Sequence, residues 1–290
     1  MKTLISTDTS ALLNYEVFNK YDISVFALNV IVDGQEYLDG ITIDQERLKN
    51  SMRGGSNIKT STPPLGVVIE YFEKLFEKGY DKIIHFTISS KLSSMYDLFC
   101  TVAKNNFPDK LFIVDSLALS SVMTAQVFYA YDEVNKGTAI EQIVNGVENI
   151  KNSCQIMFIP ENLTALKNGG RISPAIALIG NALGIKPVIS LIDGCLEKQG
   201  TTKHVKKTFA ETISEMSKSM PISDFDYTII DFDAKQDVLE YVYAIANEIL
   251  GENNFIKGIV PINVCAHCGP GTIGVLAQKK INGKSLKEFL

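Results

Sequence analysis

DKIIHFTISSKLSSMYDLFCTVAKNNFPDKLFIVDS, residues 81–116, carries three structural signals in a row. DKIIHFTISS reads as a buried strand running into a hydroxyl-rich loop. SSMYDLFCTVAKN continues as a helix, and LFIVDS is a second apolar strand. Strands alternating with helices predict a largely parallel α/β sheet. In such sheets ligands sit at the carboxyl ends of the strands. The loop after Ile88 and the pair Asp115-Ser116 both fall at that end.

The same pattern extends upstream. KTLIS at 2–6 reads as a strand followed by a polar turn, Thr7 to Ser10, and another apolar run at 23–32 ends at the turn signal Asp33-Gly34. At 60–64 the chain reads TSTPP. Prolines fix φ and disfavour helical geometry in the residue before them, so Thr60, Ser61 and Thr62 are expected to be extended. Pro63 or Pro64 then opens a helix in which Leu65, Val68, Phe72 and Leu75 recur at helical spacing and Gly79 caps the end. Such an opening is either an ordinary helix cap or an anion site made by free N–H groups at the positive helix end.

Downstream, helices are expected at 117–133 and 138–151, and the character then changes. QIMFIP is a strand, ENLTALKN a short helix and GGRISP a glycine-rich turn. PAIALIGNAL reads as an almost wholly apolar helix, which must be buried or carry an apolar ligand. KPVISLIDG and CLEKQG form a hairpin joined near Asp193-Gly194. A basic helix at 203–220, the strand DYTIID, a helix at 235–250, the strand KGIVPIN and a glycine-rich turn AHCGPG entering a last strand complete the chain. Two domains, 1–150 and 151–290, are expected.

Composition bounds the function. The 290 residues are 46% hydrophobic and 21% charged, as in soluble globular proteins. A net charge of −5 and the absence of a Lys/Arg block argue against nucleic acid; KHVKK at 203–207 reads as a solvated helix face. MKTLISTDTS lacks the apolar run of a signal peptide, and no stretch is long enough to span a bilayer, so a cytoplasmic protein is expected. Five cysteines fit a reducing compartment. Cys265 and Cys268 form a CxxC, but no second pair completes a four-ligand zinc site, and no metal or cofactor is expected. GxSxG, Walker A, GxGxxG and HExxH are all absent from the sequence. What remains is a set of neutral donors on loops: Thr60, Ser61, Thr62, Ser89, Ser90, Ser93, Ser94, Ser116 and His267. Hydroxyls and an imidazole can hold a carboxylate without a full cation. With apolar segments on every side, the matching ligand has an anionic head and a long apolar body. His85, inside an apolar strand, reads as a hydrogen-bonded core histidine.

Seven segments taken in order resemble the DegV family of bacterial fatty-acid-binding proteins. They are STDTS near the start, TSTP at 60–63, ISSKLSSMY at 88–96, VDS at 114–116, NGGRIS at 168–173, IKPV at 185–188 and AHCGPG at 266–271. The resemblance covers essentially the whole chain. It implies an N-terminal, largely parallel α/β domain and a C-terminal α/β domain with a lipid tunnel between them. It further implies that Thr60, Ser93 and His267 bind the carboxylate of a long-chain fatty acid, with Ser61, Thr62 and Ser94 in the supporting loops. Arg171 would face the acyl phosphate and a partner fatty acid kinase, with Lys203 as a second basic residue. The acyl phosphate would pass to an acyltransferase of phospholipid synthesis. Here Thr62 stands where the family commonly has Gln, Ser94 where it tends to have Gly, and Cys265 and Cys268 flank the histidine unusually. The expected protein is a non-catalytic lipid carrier. The alternatives are a small acyl hydrolase or transferase using Ser93 with His267, and a lipid-sensing regulatory module.

Overall fold

The computed structural model describes residues 2–11, 15–172 and 184–290. PAIALIGNAL, residues 174–183, lies outside them. The chain begins with β1 (Thr3–Asp8), a 3-10 turn (Thr9–Ala11), α1 (Tyr15–Lys20) and β2 (Ser24–Phe26). A small antiparallel sheet follows from β3 (Asn29–Val32), β4 (Gln35–Leu38) and, after α2 (Gln45–Arg53), β5 (Ile58–Ser61). The expected run at 23–32 is thus two strands in different sheets. Asp33 and Gly34 join β3 to β4 with φ of +50° and +86°, the positive pair that a two-residue hairpin turn requires.

Pro64 has φ −59° and ψ 143° and immediately precedes α3 (Leu65–Glu77). The quoted βαβ unit is then β6 (Lys82–Thr87), α4 (Met95–Asn106) and β7 (Leu111–Asp115). The order β2-β1-β6-β7 is parallel throughout. Every residue of β6 after Lys82 is buried, as expected of a sheet covered on both faces. His85 is fully buried there, its Nδ1 2.9 Å from Ser6 Oγ and its ring stacked on Phe99 at 4.6 Å. Burial pulls its pKa to about 3, so the core histidine is neutral.

Two helices, α5 (Ser120–Asn135) and α6 (Ile140–Lys151), lead to the second large sheet. Its strands are β8 (Cys154–Ile159), then, after α7 (Thr164–Asn168), β9 (Lys186–Ile192) and β10 (Cys195–Thr202). Next come α8 (Val205–Ser219), β11 (Phe225–Phe232), α9 (Gln236–Leu250), β12 (Phe255–Ile259), α10 (Ile262–Cys268) and β13 (Thr272–Lys279). The sheet order is β10-β9-β8-β13-β11-β12, with β11 and β12 its parallel pair. Tyr227 and Ile229 on β11 pack with Phe209 and Ile213 of α8 and Val242 of α9, while the alternate residues Ile230 and Phe232 join the core of the first sheet.

Two expectations need correction. The polar turn assigned to Thr7 and Asp8 belongs to β1, and both side chains are fully buried. The strand expected over KGIVPIN stops at Ile259: Pro261, with no N–H to continue a ladder, precedes α10 instead. Cys265, His267 and Cys268 therefore sit on a helix, not on the glycine-rich turn that follows it.

Asp8 explains the first correction. Its Oδ1 accepts from the backbone N–H of Ser10 and its Oδ2 from that of Ile88, both at 2.8 Å. It thereby ties the end of β1 to the loop leaving β6. Burial outweighs these bonds and lifts the Asp8 pKa from 3.8 to about 6. Asp39, also buried, accepts from Asn263 N at 3.0 Å and is lifted to about 7. Between pH 3.8 and these values the folded chain keeps protons that the unfolded chain has lost, so both groups make stability fall as pH rises. Asp39→Asn keeps an acceptor for Asn263 and removes the ionisation. Its stability relative to the native protein should therefore improve as pH rises from about 4 to about 7, read as urea midpoints at each pH; a relative loss over that range would refute the assignment.

Candidate functional site

β1 is the point where the parallel sheet reverses its order, with β2 on one side and β6 on the other, and the loops leaving β1 and β6 diverge there. A cavity opens off these carboxyl ends. Among the described residues it is lined by Leu28, Ile88, Leu92, Ser93 and Leu119 from the first sheet's loops. The second sheet supplies the opposite wall. Leu196, Leu191 and Ile156 are in register across β10, β9 and β8 and form one apolar row. In the next row Phe158 and Ile230 flank Gly274, whose missing side chain leaves room between them; a Cβ there would lie 3.1 Å from Phe158 Cβ. The space within it, open solvent at its mouth included, is about 1050 Å³.

The polar lining is uneven. Thr60, Ser61 and Thr62 enter from the end of β5, Ser93 from the loop after β6, Arg171 from the turn after α7, and His267 from α10. Thr60 Oγ1 and His267 Nε2 are 2.9 Å apart, across 207 residues of sequence. The buried Ser61 Oγ and His267 Nδ1 have no hydrogen-bond partner among the described residues. Burial, then the charge of Arg171, lowers the His267 pKa to about 4, so the imidazole is neutral near pH 7. Arg171 is half-buried, and its Nε donates to Leu92 O at 3.0 Å, beside Ser93. The glycine-rich turn at GGRIS is thus partly an internal brace. Burial also lowers the Arg171 pKa.

The remaining hydroxyls divide by duty. Ser94 Oγ is 2.9 Å from Thr62 Oγ1 at the exposed rim. Ser89 Oγ donates to Gly194 O at 2.8 Å, docking the β9–β10 hairpin onto the loop after β6. Ser90 N donates to Asp115 Oδ1, and Ser116 Oγ donates to Ala118 O, so these two hold loops and do not line the cavity. Lys203 is exposed beyond the end of β10 and does not line it either. Cys265 and Cys268 are buried free thiols, while Cys100, Cys154 and Cys195 are partly exposed. Burial, with Cys268 adjacent, raises the Cys265 pKa, so its thiol stays protonated. No metal-holding group of three or more His, Cys, Asp or Glu is found among the described residues, and no described helix is long and apolar enough to cross a membrane. Sequence reasoning missed Asn263, a further lining residue; it sat inside what reads as a strand.

Ser93 and His267 share the cavity without bonding to each other: the imidazole is bonded to Thr60 through Nε2, and its Nδ1 has no partner to orient it as a base. The site is a cavity in an α/β fold, lined by apolar side chains together with Thr60, Ser61, Ser93, Arg171 and His267. A family model described as uncharacterised protein, DegV family, matches residues 2–280, and the chain belongs to the DegV family. A DegV domain-containing protein of Staphylococcus aureus is 29% identical over 290 residues, covering 96% of this chain and 99% of its own. A structure described as fatty acid binding of a DegV family protein from Thermus thermophilus matches with TM-score 0.85 at 24% identity, over 96% of this chain and 100% of that one. A stearic-acid-binding protein from Eubacterium ventriosum matches with TM-score 0.83 at 22% identity, over 97% and 99%. At these identities the two structures establish the fold.

Gly169 lets the His267 ring lie against the turn after α7: a Cβ there would come within 2.1 Å of Nδ1. Gly169→Ala should push the ring off Thr60, at a cost of about 1 kcal/mol for the lost bond. The His267 pKa should then climb from about 4 toward 6.5. Imidazole NMR titration reads this directly, and an unchanged titration would show that the ring is not held by this close approach.

Proposed function

We propose that this chain is a non-catalytic carrier that holds one long-chain fatty acid in the cavity, with Thr60, Ser93 and His267 grouped around its carboxylate. The supporting observation is a largely apolar cavity lining that includes Thr60, Ser61, Ser93, Arg171 and His267, with buried atoms of Ser61 and His267 left without partners among the described residues. Burying each methylene contributes about 0.8 kcal/mol, so a long chain outweighs its ordering cost by several kcal/mol. Ser61, Thr62 and Ser94 steady the head-group loops. We read residues 1–150 and 151–290 as two domains with the ligand between them. The carboxylate is presented to a separate cytoplasmic fatty acid kinase, whose acyl-phosphate product feeds an acyltransferase of phospholipid synthesis. Arg171, in the cavity lining, suits bidentate contact with the new phosphate, and Lys203 offers a further cation toward the kinase.

Mass spectrometry of protein purified from a bacterial host and then denatured tests the first claim: one fatty acid per chain is expected, and well-folded protein without lipid refutes it. Ser93→Ala should weaken fatty-acid binding about ten- to a hundredfold, the range for one hydrogen bond to a charged group. Were Ser93 a nucleophile, the same change would abolish acyl-ester turnover and spare affinity. A fatty alcohol of equal length should bind poorly and respond little to the substitution.

Arg171→Ala removes the brace on Leu92 as well as the cation, so a severalfold loss of fatty-acid affinity is expected beside a near-complete loss of acyl-phosphate formation with the kinase. Parallel losses in the two assays would make Arg171 a head-group ligand alone.

A further inference from the structure

We propose that Asn263 gives the cavity a second polar station, a hydrogen-bond acceptor for a hydroxyl carried on the acyl chain, and that hydroxy fatty acids belong to its ligand class. The proposal rests on the fatty-acid reading above and narrows it.

Asn263 lies in the first turn of α10, four residues before His267, and both line the cavity. Residues four apart share a helix face and are separated by roughly 6 Å along the axis. The Asn263 side chain is inside the protein, with 5% of the residue exposed. Its backbone N–H donates to Asp39 Oδ2 at 3.0 Å, and its Nδ2 donates to Ser10 Oγ at 2.6 Å. Neither Asp39 nor Ser10 lines the cavity. Oδ1 is the polar atom left over, and it is buried without a partner.

The orientation of this amide is fixed from behind. Ser10 Oγ accepts from Nδ2 and so offers Asn263 a lone pair. Turning the amide over would set Oδ1 against that lone pair. The STDTS segment thereby reaches the cavity lining indirectly: Asp8 holds the backbone of Ser10, Ser10 holds the Asn263 amide, and Asn263 is a lining residue whose Oδ1 has no partner among the described residues. A fatty-acid carboxylate cannot use this carbonyl, since both are acceptors, and it has the hydroxyl donors of Thr60, Ser61 and Ser93 elsewhere in the lining. Thr272, another lining residue, spends its hydroxyl on the carbonyls of Cys268 and Gly269. Val260 and Val264 on either side of Asn263 are apolar and also line the cavity. A buried acceptor in such surroundings rewards a ligand that brings a donor.

The experiment uses the full chain stripped of lipid, with displacement of a fluorescent fatty acid as the readout. Palmitate is compared with palmitates carrying one hydroxyl on the third, sixth or tenth carbon. One positional isomer is expected to bind about tenfold more tightly than palmitate, the effect of a single satisfied buried acceptor. In Asn263→Leu that preference should vanish. Ser10→Ala, which leaves the lining untouched and frees the amide to turn, should reduce it too, so the proposal stays open to test even where one variant fails to fold. If every hydroxylated isomer binds no better than palmitate, the acceptor serves a water or nothing, and the proposal is wrong while the fatty-acid reading stands. If palmitate itself does not bind, the fatty-acid reading has failed first.

Discussion

One buried carboxylate organises the end of the sheet where the cavity lies. Asp8 sits at the tip of the central strand with no solvent contact, where an ionised group is costly unless donors surround it. Its donors are the backbone N–H groups of Ser10 and of Ile88. Each belongs to a segment that must leave the sheet in a fixed direction: the turn after β1 and the loop carrying Ser93. Remove the carboxylate and two strand exits lose the atom that holds them together. The raised pKa records the tension, since burial exceeds what the hydrogen bonds return.

From that point the chain spends its small polar residues on joints more than on the ligand space. Ser89 fastens the β9–β10 hairpin tip, Asp115 gathers the backbone N–H groups of Ser90 and Leu117, and Asp39 receives the first turn of α10. These bonds join elements far apart in sequence, and they put the end of β5, the loop after β6, the turn after α7 and α10 around one space. The Thr60–His267 contact closes that arrangement. A neutral histidine suits such a place: a charged one would face the Arg171 guanidinium at short range in a poorly hydrated site.

Much of this was written locally. The 2.0 and 3.6 periodicities of residues 81–116 specify strand, helix and strand without help from the rest of the chain, and the parallel sheet follows from their alternation. Asp33-Gly34 and Asp193-Gly194 set hairpins because their backbone needs positive φ, a property of those residues themselves. The prolines after Thr62 stiffen the segment from Thr60 to Thr62 for the same local reason, and the order of seven short motifs was enough to place the family. What the sequence could not decide was which hydroxyl does which work. Ser89, Ser90 and Ser93 are near neighbours of one residue type, yet the first fastens a hairpin more than a hundred residues away, the second is held through its backbone and the third faces the cavity. Those duties depend on partners brought in by long-range packing, which leaves no periodic trace in a single chain. The helix at 262–268 was hidden likewise: seven residues of mixed polarity after a strand-like run show no helical stripe, and only Asp39 arriving from the first sheet's side, together with a proline unable to pair, makes that turn of helix the cheaper structure.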